Sequence, residues 1–95
     1  MKANIDEIKK RVVPILKEAG VKRSDLFGSV VRGDYTVNSD IDTLIELPEN
    51  SSLLDLVRLE RRLEKSLGRE VDLITYKSIH PLLKDYIERD QLQIL

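Results

Sequence analysis

Two kinds of apolar spacing alternate along this chain, and that alternation limits its fold more than any other feature. Ile5, Ile8, Val12, Ile15, Leu16 and Ala19 recur at helical spacing. Asn4 followed by Glu7 resembles a capping box, and Gly20 is a suitable stop. Pro14 removes one backbone donor, so the spacing predicts a helix over about 4–19 that bends there without breaking. A short strand over 25–27 then runs into Gly28-Ser29, and 30–32 read as one helical turn. The polar loop 33–39 leads into an Ile- and Leu-rich strand over 39–47, closed by Pro48. A second long helix is expected over 52–67, with Leu53, Leu56, Val57, Leu63 and Leu67 as its buried stripe and Gly68 as its end. A third strand follows over 70–75. Ser78 is read as the cap of a last helix, with Pro81 in its first turn and Leu82, Leu83, Tyr86 and Ile87 facing inward. Residues 92–95 add a short strand. Helical and strand segments in alternation indicate an α/β (α+β) domain. The 95 residues fit one small domain, 1–95, with a modest core.

Three acids interrupt this apolar pattern. Asp40 and Asp42 stand two apart on the expected second strand, so their side chains share a face, roughly 7 Å apart along the chain. Ile41, Leu44 and Ile45 flank them. Asp72 repeats the arrangement on the next strand, between Val71, Leu73 and Ile74. A bare carboxylate inside an apolar strand is costly unless something compensates it. If the two strands are neighbours, three carboxylates meet, repel and raise one another's pKa. A divalent cation relieves that repulsion, and hard oxygen ligands with room for water and phosphate suit Mg²⁺. Asp42 alone reads equally well as a loop cap or the partner of a Lys or Arg, and Asp72 alone is a weaker signal still.

Gly28-Ser29 adds a second kind of chemistry. Glycine lets a ligand approach the backbone, and the N–H groups at a helix start bind phosphate. The Ser29 hydroxyl supplies one more donor. Arg32, three residues on, either reaches phosphate oxygens or pairs with Asp34. Alone, this is an ordinary strand-to-helix turn.

Composition removes several alternatives. Sixteen basic and 17 acidic residues give a net charge of −1, so no chain-wide field favours nucleic acid as a direct substrate. The absence of cysteine excludes disulfides and thiolate metal sites, and the single histidine, His80, excludes a histidine-rich zinc site. His80 reads as a cap or surface residue. Tyr35, Tyr76 and Tyr86 read as packing residues, and Arg58, Arg61, Arg62 and Lys65 as a solvated helix face paired with Glu60 and Glu64. No secretory signal opens the chain, and no apolar run approaches the roughly 20 residues of a membrane span. A cytoplasmic protein is expected.

Taken together, Leu26-Phe27-Gly28-Ser29-Val30-Val31-Arg32-Gly33, then Ser39-Asp40-Ile41-Asp42, then Asp72 on a later strand resemble the signature of the polymerase-beta-like nucleotidyltransferase superfamily. The stretch is similar to the minimal nucleotidyltransferases of bacteria and archaea, and the likeness covers nearly the whole chain. Val31 stands where that family more often has alanine, and Thr43 replaces a usual aliphatic residue. The resemblance implies a small mixed sheet flanked by helices. It implies that Asp40 and Asp42 hold two Mg²⁺ ions on a triphosphate. Asp72 is then the third carboxylate, binding one metal and helping to activate an acceptor hydroxyl. Gly28 and Ser29 form the phosphate-holding turn, and Arg32 adds a phosphate contact.

An in-line displacement at the α-phosphorus, with pyrophosphate leaving, needs no side-chain nucleophile. The chain is too short for a separate acceptor domain, so another protein is expected to present the acceptor. The resemblance implies an antitoxin that transfers AMP from ATP onto a tyrosine of a HEPN-type ribonuclease toxin, as part of a homo- or hetero-oligomer. A bulky anion near a ribonuclease site would oppose RNA binding. The competing readings are a non-catalytic nucleotide-binding antitoxin that covers its partner, and transfer to RNA or a small molecule.

Overall fold

The computed structural model describes residues 4–34, 36 and 38–95. Helix α1 spans Ile5–Glu18 and is continuous through Pro14. Asn4 accepts a hydrogen bond from the Glu7 N–H at 3.1 Å. The reciprocal half of the expected capping box is replaced, because the Glu7 carboxylate meets Arg11 Nε at 3.0 Å. Strand β1 (Arg23–Phe27) leads into the one-turn helix α2 (Ser29–Arg32), and β2 follows over Ile41–Glu46. Helix α3 (Leu53–Leu67) does carry a full capping box, with Ser52 and Asp55 bonding each other's backbone N–H. Strand β3 (Val71–Thr75), a 3-10 turn over Tyr76–Ser78, helix α4 (Pro81–Arg89) and the two-residue β4 (Leu92–Gln93) complete the order.

The strands form one sheet in the order β3-β2-β1-β4. β1 pairs antiparallel with β2 and β4, while β2 pairs parallel with β3 through the α3 crossover. The sheet is therefore mixed, as expected. Side-chain alternation splits it into two faces. Leu26, Ile41, Ile45, Val71 and Leu73 pack with Ile8, Val12 and Leu16 of α1 and with Leu59 and Leu63 of α3. This is the main core. The opposite face carries a smaller cluster of Phe27, Leu44 and Ile87, joined by Ile74, Tyr76 and Ile79. Among the described residues no helix is long and apolar enough to cross a membrane.

Four sequence expectations are corrected. His80, not Ser78, caps α4: its Nδ1 accepts from the Leu82 N–H at 3.1 Å, while Ser78 bonds Thr75 within the 3-10 turn. Only Ile87 of α4 is buried; Leu82 is 85% exposed, and Leu83 and Tyr86 are also on the surface. Of the α4 side chains, Ile87 is the one that enters the cluster on this face of the sheet. On α3 the buried positions are Leu59 and Leu63, whereas Leu53, in the first turn, is 76% exposed. Arg62 also departs from its expected partners and pairs across to Glu18 of α1 at 3.0 Å.

Candidate active site

The end of β1 and the beginnings of β2 and β3 meet at one edge of the sheet, on the face of the smaller cluster. In the ladder Phe27 is opposite Asp42, and Asp42 is opposite Asp72. Residues opposed in this way project to the same side, on strands about 4.8 Å apart. Asp42 and Asp72 are thus side by side, level with the residue that enters the Gly28 turn. Leu44, Ile74 and Asp25 form the next row inward on this face.

Gly28 is buried and adopts φ 76°, ψ −148°, a conformation essentially closed to residues with a Cβ. A Cβ there would stand 2.5 Å from Asp42 Oδ2. Glycine is required both by the backbone and by the carboxylate pressed against it. Ser29 opens α2, and the Val31 and Arg32 N–H groups return to the Gly28 carbonyl at 3.1 and 3.0 Å. A single turn has no preceding carbonyls for its first N–H groups, which leaves them available to an anion.

Asp40 differs in detail from the sequence reading. It lies one residue before β2, and its carboxyl meets that of Glu70, whose pKa rises through their shared hydrogen bond and the charge of Asp40. The ladder extends this far, since the Ile41 N–H donates to the Glu70 carbonyl at 2.9 Å. Glu70-Val71-Asp72 thus repeats Asp40-Ile41-Asp42 on the neighbouring strand, in register. That doubled acid-x-acid spacing was present in the sequence and would have pointed to Glu70. Arg69 was not foreseen either. Its Nη2 donates to the carbonyls of Thr36 and Ser39 at 2.7 and 3.0 Å, holding the loop that delivers Asp40.

Electrostatically the edge is strained. The Asp42 carboxyl is pushed up to about 6, first by burial, then by the charges of Asp72 and Asp40, with Arg32 opposing. Arg32 is engaged by Asp34, as one of the two sequence readings allowed, and also by Tyr86 and Asp90 of the C-terminal region. Tyr35 lies outside the described residues.

Below these four acids, a fifth carboxylate also escaped the sequence reading. Asp25 on β1 is 1% exposed. Its Oδ2 accepts from the Tyr76 hydroxyl at 2.5 Å and Gln91 Nε2 at 2.8 Å, with Arg23 Nη2 at 3.4 Å. Arg23 also lies over the Tyr76 ring, 5.1 Å from its centre. The cluster ties the strand leading to Gly28 to the 3-10 turn and to the α4–β4 link. Tyr76→Phe removes one hydrogen bond to a buried carboxylate and is expected to cost about 1.5–3 kcal/mol in urea unfolding. An unchanged unfolding midpoint would show that the cluster contributes nothing.

A family model described as nucleotidyltransferase domain matches residues 5–92. The chain belongs to this nucleotidyltransferase family. A relative from Methanocaldococcus jannaschii, provisionally named a protein adenylyltransferase, is 54% identical over 92 residues, covering 97% of this chain and 99% of the relative. A solved structure described as a minimal nucleotidyltransferase superposes with a TM-score of 0.79 at 32% identity, covering 93% of this chain and 90% of that one. The fold also matches a structure of a tri-AMPylated HEPN toxin from Shewanella oneidensis in complex with an MNT antitoxin. There the TM-score is 0.74 at 18% identity, over 95% of this chain and 71% of that one.

A nucleotidyltransferase of this family implies a divalent metal, and the donor set fits one. The acids offer only hard carboxylate oxygens, and Asp42, raised first by burial and then by the charges of Asp72 and Asp40, is a carboxyl whose ionised form a cation would favour. Among the described residues no three acidic or histidine side chains are gathered tightly enough to hold an ion unaided. Mg²⁺ does not need such a cage: it retains water and takes one or two carboxylates together with phosphate oxygens.

Proposed function

We propose that this chain transfers AMP from ATP to a hydroxyl, a tyrosine in our reading, of a partner HEPN-type ribonuclease toxin, releasing pyrophosphate and acting as the antitoxin. The observation that carries the reading is the register pair Asp42–Asp72 facing the Gly28-Ser29 turn. Asp42 lies directly against Gly28, so carboxylates and the N–H groups that open α2 adjoin at this end of the sheet. In this reading Asp40, Asp42 and Asp72 hold two Mg²⁺ ions, which when bound polarise phosphate oxygens and lower the acceptor's pKa. Gly28 and Ser29 hold the triphosphate through N–H groups and the Ser29 hydroxyl. Arg32 supplies a positive edge for phosphate oxygens. In the same reading Asp72, which is exposed, takes the acceptor's proton as the α-phosphorus is attacked. The acceptor-side bond forms at phosphorus as the bond to pyrophosphate breaks, so no side chain is modified along the way.

The likeness to a relative named for protein adenylylation, and to a fold found beside an AMPylated toxin, supports this choice of acceptor. The test is transfer of label to the co-purified partner from ATP labelled at the α- or the γ-phosphate. Label should arrive from the α position only, and Asp40→Asn should abolish it. A second reading, neutralisation by covering the partner without chemistry, is favoured by the exposed Leu82 and Leu83 on α4. Neutralisation that persists in Asp40→Asn, with no label transferred by the unaltered chain, would establish it instead.

A further inference from the structure

Arg32 closes the helical turn after Gly28-Ser29, yet its side chain is held from the other end of the chain. Nη1 donates to Asp90 Oδ2 at 3.1 Å and to the Tyr86 hydroxyl at 3.2 Å, 58 and 54 residues away. Nε donates to Asp34 Oδ2 at 3.3 Å. The guanidinium also lies 5.9 Å from the centre of the Tyr86 ring. Asp90 is the C-terminal cap of α4, and its side chain is 15% exposed, so this ion pair is screened far less than an open surface pair. Asp34, 62% exposed, is the looser partner. Ordering a long arginine costs rotamer entropy, and partners on two sides fix one orientation. That orientation keeps the guanidinium within electrostatic reach of Asp42. The hydrogen bonds to described residues occupy Nε and Nη1, which leaves the Nη2 edge of the planar fork for a further acceptor.

We propose that Tyr86 and Asp90 are positioning residues of the transfer site: α4 holds Arg32 so that its guanidinium is already oriented toward the phosphates of a nucleotide lying on the Gly28-Ser29 turn. This rests on the nucleotidyl-transfer reading above and extends it to the far end of the chain. A pre-oriented guanidinium binds phosphate without a new ordering cost, and so gains affinity from residues that never touch the ligand. A mere tether between α2 and α4 would instead change stability and leave nucleotide affinity alone.

The two roles separate in a binding cycle on the full chain. The dissociation constant for Mg-ATP is measured by calorimetry, alongside melting temperature and the KM and kcat of transfer to the co-purified partner. Arg32→Ala is expected to weaken ATP binding about tenfold. Asp90→Asn and Tyr86→Phe should each weaken it by about three- to tenfold, raising KM with kcat changed less than about twofold. Arg32→Ala combined with Asp90→Asn should bind no more weakly than Arg32→Ala alone, because the aspartate acts only through the arginine. If Asp90→Asn fails to fold, Tyr86→Phe, which loses one hydroxyl and keeps the ion pair, decides the matter. Folded variants at both positions that bind ATP as the unaltered chain does would overturn the proposal while leaving the transfer reading intact. So would a double variant weakened by the product of the single effects. An unaltered chain that binds no Mg-ATP would overturn both.

Discussion

Replacing Asp42 by asparagine is expected to lower transfer roughly a thousandfold, equivalent to about 4 kcal/mol of lost transition-state stabilisation, and at the same time to make the metal-free protein more stable. The first effect follows from removing the central acid of the register row. The second follows from its titration. The folded-state value is about 6, against 3.8 for an ordinary aspartate. Between those values the folded chain retains a proton that the unfolded chain has released, so stability falls as pH rises through the window. Above pH 6 the whole penalty is present. Asparagine keeps the shape and carries no charge. Because the carboxyl is only half-buried, the gain is discounted for solvent screening to about 1 kcal/mol, or about 4–8 °C in a domain of this size. Melts in EDTA at pH 8 should show the variant above the parent, and the difference should close as pH falls below 4. Adding Mg²⁺ should raise the parent's melting temperature and leave the variant's unmoved. A variant that melts lower than the parent at pH 8, or that transfers label at the parental rate, contradicts this account. Such opposition between stability and activity is expected where like charges are gathered for a ligand.

Gly28→Ala should move both quantities downward. The alanine must take up φ 76°, ψ −148°, at a cost of about 1–3 kcal/mol. Its Cβ would also sit 2.5 Å from Asp42 Oδ2, so the carboxylate has to leave its place beside Asp72. A fall of about 10 °C in melting temperature and a loss of transfer of at least about a hundredfold are expected. Asp42→Ala in the same background relieves the collision but not the backbone cost, so it should restore only part of the lost stability. An unchanged melting temperature in Gly28→Ala would mean that this turn is not as tight as the structure has it.

Much of the site was legible because its signals are local. An i, i+2 pair of acids must share a face of a strand, and a Gly-Ser step between a strand and a helical pattern must be a turn. Those two facts, with Asp72 as a repeat, sufficed to name the acids and the turn that the sheet edge brings together. Element types and most boundaries were legible for the same reason: helical and strand periodicities, Ser52, Gly68 and Pro81 each act within a few residues of themselves.

What the sequence determined by itself, then, was which residues share a face and where each element begins. Tertiary structure decided which faces meet. The pairing of Asp42 with Asp72 depends on a parallel register fixed by packing across α3, and a slip of one residue would have turned Asp72 to the opposite face. The same pairing sets Glu70 beside Asp40. Arg32 finds Tyr86 and Asp90 only because α4 folds back over the sheet, and Asp25 finds Tyr76 and Gln91 for the same reason. The apolar side of α4 shows the limit most clearly. Its spacing indicates a buried stripe, but how much of that stripe is covered depends on the area of sheet beneath it, and here that area receives Ile87 and leaves Leu82 and Leu83 in solvent.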